Sequence, residues 1–164
     1  MTVIAWDGKI LAADTLVTNG MTQKRLTSKI RIIRHGNTVY ALSGTLVIRE
    51  RFEEWLLGDR MSDPPAASWY GAVVIERVDK DFAWKVFSFY RDEKEWGFVE
   101  LENSRCASGS GRDFALAAMY CGRDAAQAVL CAIEFDEASG GPVEWWVPGE
   151  EEIRTYETEL GVTS

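Results

Sequence analysis

Short β-prone and apolar runs, set apart by turn signals, open the chain. Thr2-Val3-Ile4-Ala5-Trp6 and Ile10-Leu11-Ala12-Ala13 flank Asp7-Gly8, a hairpin signal because glycine takes positive φ at low cost. Residues 18–28 are polar and read as a loop. Lys29-Ile30-Arg31-Ile32-Ile33-Arg34 and Thr38-Val39-Tyr40-Ala41-Leu42 flank His35-Gly36-Asn37, which predicts a second hairpin. Residues 46–57 are helical, with Val47, Phe52, Trp55 and Leu56 at near-helical spacing and charged residues filling the rest. Gly58 stops that helix, and Pro64-Pro65 cannot continue one.

Residues 72–78 and 82–90 read as a third strand pair around Asp79-Lys80-Asp81, with a shorter strand at 98–101. Two alanine-rich helices follow. The first spans 112–121, with Phe114, Ala117, Ala118 and Cys121 on one face. The second starts at Asp124, where Asp124 and Gln127 have capping-box spacing, and Ala125, Val129, Ala132 and Ile133 form its stripe. Residues 143–147 form a strand, and 153–159 add an edge strand. The order of strands, helix, strands, two helices and strand fits an α+β fold of two antiparallel sheets covered by helices better than βαβ units. One domain over residues 1–164 is expected from the length.

Charge narrows the partners. The formal net charge of -8 argues against nucleic acid and anionic membranes, which require a basic footprint. The N-terminus has no basic region ahead of an apolar stretch, and no apolar run approaches a membrane span, so a cytoplasmic protein is expected. Cys106, Cys121 and Cys131 are odd in number and lack CxxC spacing, so free thiols are expected rather than a disulfide framework or zinc site.

Thr2 is the first candidate for chemistry. Initiator Met1 is readily removed before a small residue. Thr2 would then carry a hydroxyl and a free α-amine, whose pKa near 8 makes it a usable base at neutral pH. The plain alternative is an ordinary strand start. Asp14 ends an apolar strand, where a carboxylate needs a partner, and Lys29 opens the next hairpin. If they pair beside Thr2, the lysine charge lowers the pKa values of the amine and hydroxyl. Gly109-Ser110-Gly111 precedes an alanine-rich helix; Ser110 and Asp113 have cap and third-position spacing, so helix capping is the plain reading. No Walker lysine, complete GxGxxG or GxSxG elbow is present, and the one histidine, His35, sits in a turn. Asp136-Glu137-Ala138-Ser139-Gly140-Gly141 reads by itself as a polar turn.

Together and in this order, these pieces resemble the proteasome β-type peptidase family: Thr2 opening a hairpin, Ala12-Ala13-Asp14 at its end, Ser28-Lys29-Ile30, Gly109-Ser110-Gly111 at a helix start, and Asp136-x-Ala138-Ser139-Gly140-Gly141 before a strand. The likeness covers residues 2–147 and looks most like the short, HslV-like homologues of bacterial and phage genomes. It implies a four-layer α-β-β-α sandwich. Thr2 matches the nucleophile, Asp14 and Lys29 the charged pair that tunes it, Ser110 the proton-shuttling serine, and Asp136 with Ser139 the supporting pair. The oxyanion segment departs from the family's usual glycine and reads Ala41-Leu42-Ser43-Gly44-Thr45, with the N–H groups of Leu42, Ser43 and Gly44 as candidates. The implied activity is hydrolysis of unfolded proteins or peptides inside a homo-oligomeric ring or double ring, with no metal or organic cofactor, and an ATPase unfoldase as a further partner. The rival expectation is a non-catalytic assembly protein that keeps the fold; the intact mass of the N-terminus separates the two.

Overall fold

The computed structural model describes residues 2–19, 23–78, 83–102 and 104–156. Strand β1 (Val3–Trp6) pairs antiparallel with β2 (Leu11–Ala13), Ile4 opposite Ala13 and Trp6 opposite Leu11. The Asp7-Gly8 turn closes this hairpin: Asp7 Oδ1 accepts from the Lys9 and Ile10 N–H groups at 2.7 and 2.8 Å, and Gly8 has φ +100°. The other Asp7 oxygen accepts from the Ala125 N–H at 2.8 Å, tying the turn to a later helix start.

The loop expected at 18–28 is instead largely a two-stranded antiparallel ribbon, β3 (Leu16–Asn19) with β4 (Gln23–Leu26). Main-chain bonds anchor it rather than an apolar face. Thr27 N–H donates to Thr15 O at 2.8 Å, and the Thr15 and Leu16 N–H groups both donate to Gly140 O. A ribbon held this way tolerates a polar sequence. The second hairpin forms as expected from β5 (Ile30–Ile33) and β6 (Thr38–Gly44), its turn using positive φ at Arg34, His35 and Gly36.

A 3₁₀ turn at Leu46–Ile48 leads into α1 (Arg49–Leu57), which buries Phe52, Trp55 and Leu56. Val47 does not join them. It lies on the 3₁₀ turn, out of phase with the helix stripe, and is 83% exposed. Next comes a meander of β7 (Trp69–Val78), β8 (Ala83–Asp92) and β9 (Trp96–Leu101). The expected turn at Asp79-Lys80-Asp81 and residue 82 lie outside the described residues. Strand β10 (Cys106–Gly109), not anticipated from the sequence, pairs with β1.

Helix α2 (Arg112–Tyr120) buries Ala115, Ala118 and Met119. Of the face expected for it, only Ala118 is buried. Phe114 is 40% exposed, and Cys121 follows the helix and is exposed. Helix α3 (Ala125–Phe135) carries the anticipated capping box between Asp124 and Gln127 and buries Ala125, Val129 and Ala132, with Ile133 packed beside them. Strand β11 (Val143–Trp146) pairs with β2 and with β12 (Arg154–Tyr156). The rest of the edge strand expected at 153–159 lies outside the described residues. All three cysteines are free.

The main sheets have strand orders β10-β1-β2-β11-β12 and β5-β6-β7-β8-β9, antiparallel throughout. Strand alternation assigns their faces. Val3, Ala5, Ala12 and Val143 point to α2 and α3. Ile4, Leu11, Ala13 and Trp146 meet Ile30, Val39, Ala41, Val73 and Ile75 of the other sheet. From β6, Tyr40 and Leu42 point the opposite way, to Phe52, Trp55 and Leu56 of α1. The aromatic rings there pack at 5.0–5.8 Å between centroids around Phe52. Among the described residues, no helix is long and apolar enough to cross a membrane.

Candidate active site

Three polar side chains meet where β1, β2 and β5 begin or end. Thr2, Asp14 and Lys29 are 2%, 0% and 1% exposed, unusual for a carboxylate and an ammonium. Lys29 Nζ lies 2.5 Å from Asp14 Oδ1 and also donates to Thr2 Oγ1. Thr2 Oγ1 donates to Asp14 Oδ1. The hydroxyl is therefore held between a cation that donates to it and an anion that accepts from it.

Further bonds fix each corner. Asp14 Oδ1 also accepts from Val3 N–H at 3.1 Å, and Oδ2 accepts from Gly140 N–H at 3.0 Å. Lys29 donates to Leu16 O at 2.7 Å. Burial pushes the Lys29 pKa below the usual lysine range, Asp14 offsets only part of this, and the nearby Arg49 guanidinium lowers it further. Arg49 also grips the loop before Lys29: its Nη2 donates to Ser28 O at 2.8 Å, while Ser28 Oγ donates to Glu144 at 2.5 Å.

The second group forms as a separate cluster. Ser110 Oγ and Ser139 Oγ donate to Asp136 Oδ2 at 2.6 and 2.5 Å, and Ala138 N–H donates to Oδ1 at 3.3 Å. Burial pushes the Asp136 carboxyl up, but these three hydrogen bonds together outweigh it and hold the pKa below the usual aspartate value. Capping is not the role of Ser110. The residue flanking α2 is Gly111, without a side-chain cap, and the Ser110 hydroxyl is taken by Asp136. Ser110 Oγ also lies 3.5 Å from the Thr2 carbonyl, which Gly111 N–H approaches at 3.4 Å. Asp14 and Lys29 thus touch the Thr2 side chain, Ser110 reaches its carbonyl, and Asp136 and Ser139 stand behind Ser110.

Gly109 makes that approach possible. Its φ is +101°, and a Cβ there would sit 1.9 Å from Thr2 O. Gly109→Ala is expected to destabilise the fold by about 2 kcal/mol or more, from backbone strain and collision together. The shift in urea midpoint measures it, and an unchanged midpoint would contradict this placement of Thr2. Gly44 is constrained in the same way: φ is +92°, and a Cβ would meet Trp69 at 2.6 Å.

Thr2 and Lys29 line an open cleft of about 300 Å³ whose other walls include Leu16, Val17, Gly44, Leu46 and Trp69. The parts played by the main chain of Val3, Leu16 and Gly140 leave no trace in the side-chain pattern, and that of Arg49 leaves only a cation at a helix start. Removal of Met1 concerns a residue outside those described. No protein-family model matches the chain, and no curated protein matches it.

Proposed function

We propose that the chain is an N-terminal-nucleophile threonine peptidase of the proteasome β-type kind, in which loss of Met1 frees the Thr2 amine. The observation that carries this reading is the buried Thr2–Asp14–Lys29 triangle opening onto a cleft. A buried ion pair contributes little net stability, whereas one bonded to a hydroxyl at a cleft has a chemical use. The helix, sheet, sheet and helix packing is, on this reading, the four-layer α-β-β-α sandwich of such hydrolases, in a single domain over 1–164.

In the reaction, the Thr2 α-amine takes the hydroxyl proton, directly or through a water, as Oγ bonds to the substrate carbonyl carbon. Lys29, donating to Oγ, stabilises the developing alkoxide, and Asp14 holds Lys29 in place. The tetrahedral oxyanion collapses as the C–N bond breaks, and the leaving amine receives the proton from the Thr2 ammonium. Water then adds to the resulting ester, the α-amine accepts its proton, and the ester C–O bond breaks. The acid product departs and Oγ regains a proton.

Gly44 is the oxyanion donor we assign. N–H groups of successive residues on an antiparallel strand point to opposite neighbours. Leu42 N–H goes to Lys29 O and Thr45 N–H to Trp69 O. Gly44 shares the parity of Leu42, so its N–H faces the side where β5 has not yet begun and the cleft opens.

Substrates are unfolded polypeptides or peptides, handled in the cytoplasm inside a homo-oligomeric ring or double ring, with an ATPase unfoldase as the partner that feeds it; light scattering distinguishes such a ring from a monomer. The N-terminus supplies the direct test of the activity. A chain with an uncleavable extension before Thr2 should keep its circular dichroism spectrum and lose peptide turnover. Undiminished turnover would overturn the role of the amine.

A further inference from the structure

Resting on the threonine-peptidase reading, we infer that the cleft beside Thr2 selects substrates with an acidic side chain next to the scissile bond, through Arg49 and Arg25. A second cavity, of about 730 Å³, shares Val17, Thr18, Gly44, Thr45 and Leu46 with the Thr2 cleft. A side chain flanking the bond attacked by Thr2 has this space to enter. Its charged lining is Arg25, Arg31, Arg49 and Glu50, a local excess of positive charge on a chain whose formal net charge is -8.

The pairing of these groups shows which cations remain for a ligand. Arg31 is engaged by Glu53, 3.3 Å away. Arg25 lies on β4, is exposed, and makes no ion pair among the described residues. Arg49 donates through Nη2 to Ser28 O, but its buried Nε has no acceptor. A buried N–H left without an acceptor is costly, and a guanidinium suits a carboxylate better than any neutral group. Glu53 and Glu144 act on Arg49 at longer range, and neither accepts a hydrogen bond from it. An incoming carboxylate meets the part of Arg49 that lines the cavity, and Arg25 at the rim. Leu46 and Val17 provide apolar contact for the methylene stem of a glutamate.

The test compares two threonine-directed peptide epoxyketones that differ only in the residue beside the warhead, Glu in one and its uncharged isostere Gln in the other. The rate of Thr2 modification is followed by intact mass. The Glu compound should react at least about tenfold faster, the scale of one charge-assisted contact. In Arg49→Gln and, separately, Arg25→Gln, the Glu:Gln rate ratio should fall towards one. Because Arg49 also holds Ser28, the ratio rather than the absolute rate is the readout, and exposed Arg25 gives an independent variant. Modification of Thr2 with a ratio near one, or favouring Gln, overturns the acidic preference and leaves the peptidase reading intact. A high ratio that survives both substitutions overturns the assignment to these arginines. Failure of both compounds to modify Thr2 sinks the peptidase reading, and this inference with it.

Discussion

Lys29→Ala should abolish peptide turnover, lowering kcat by about 10³-fold or more, while the protein still folds. The loss is electrostatic. Lys29 Nζ donates to the Thr2 hydroxyl, and no other cation touches it among the described residues. Without Lys29, the alkoxide forms against the Asp14 carboxylate alone, which opposes it. The fold survives because Asp14 remains well satisfied: Val3 N–H, Gly140 N–H and the Thr2 hydroxyl still donate to it. Lys29→Arg should rescue little, since a planar fork cannot occupy a corner shaped for an ammonium that serves Thr2, Asp14 and Leu16 at once. Wild-type turnover in Lys29→Ala would show that the chemistry lies elsewhere.

Asp14→Ala should be the more damaging change for stability, at about 3–5 kcal/mol, because it strands a buried ammonium. Lys29 would retain only Leu16 O and the Thr2 hydroxyl, and the N–H groups of Val3 and Gly140 would lose their acceptor. Asp14 is also what holds up the Lys29 pKa against burial, so its removal sends that pKa lower still. Between this lowered folded value and the ordinary lysine value, the unfolded chain binds more protons than the folded one. The stability of the variant therefore rises with pH across that interval. Asp14→Ala/Lys29→Met should recover part of the loss while remaining inactive, since no charge is then left unpaired. Urea denaturation at several pH values measures all of this. A single variant as stable as wild type at neutral pH would contradict the buried pair.

Most of the framework could be read from the chain where alternation and turn chemistry agree. Asp7-Gly8 and His35-Gly36-Asn37 each sit between apolar runs, and both close hairpins. Asp14 and Lys29 stood out as charges at the ends of strands otherwise committed to the core. Other features left no such trace. The β3–β4 ribbon is polar and is held through main-chain atoms of Thr15, Thr27 and Gly140, so it has no periodicity to detect. Strand β10 reads Cys-Ala-Ser-Gly, small residues with little strand preference that pair because β1 offers an edge. In α2, alanines on several faces let Phe114 bias the phase, although it stacks outside the core on Phe135. Arg49 falls among the charged residues that fill the helix pattern over 46–57. Its one signal was a cation in the first turn of α1, where the helix dipole disfavours it.

Intact mass and peptide mapping of cell-made protein, before and after treatment with a threonine-directed epoxyketone, test the central claim most directly. The account predicts a mass lacking Met1 and a single adduct, mapped to Thr2, whose formation stops peptide turnover. Active protein that retains Met1, or inactivation by an adduct on any other residue, would contradict it.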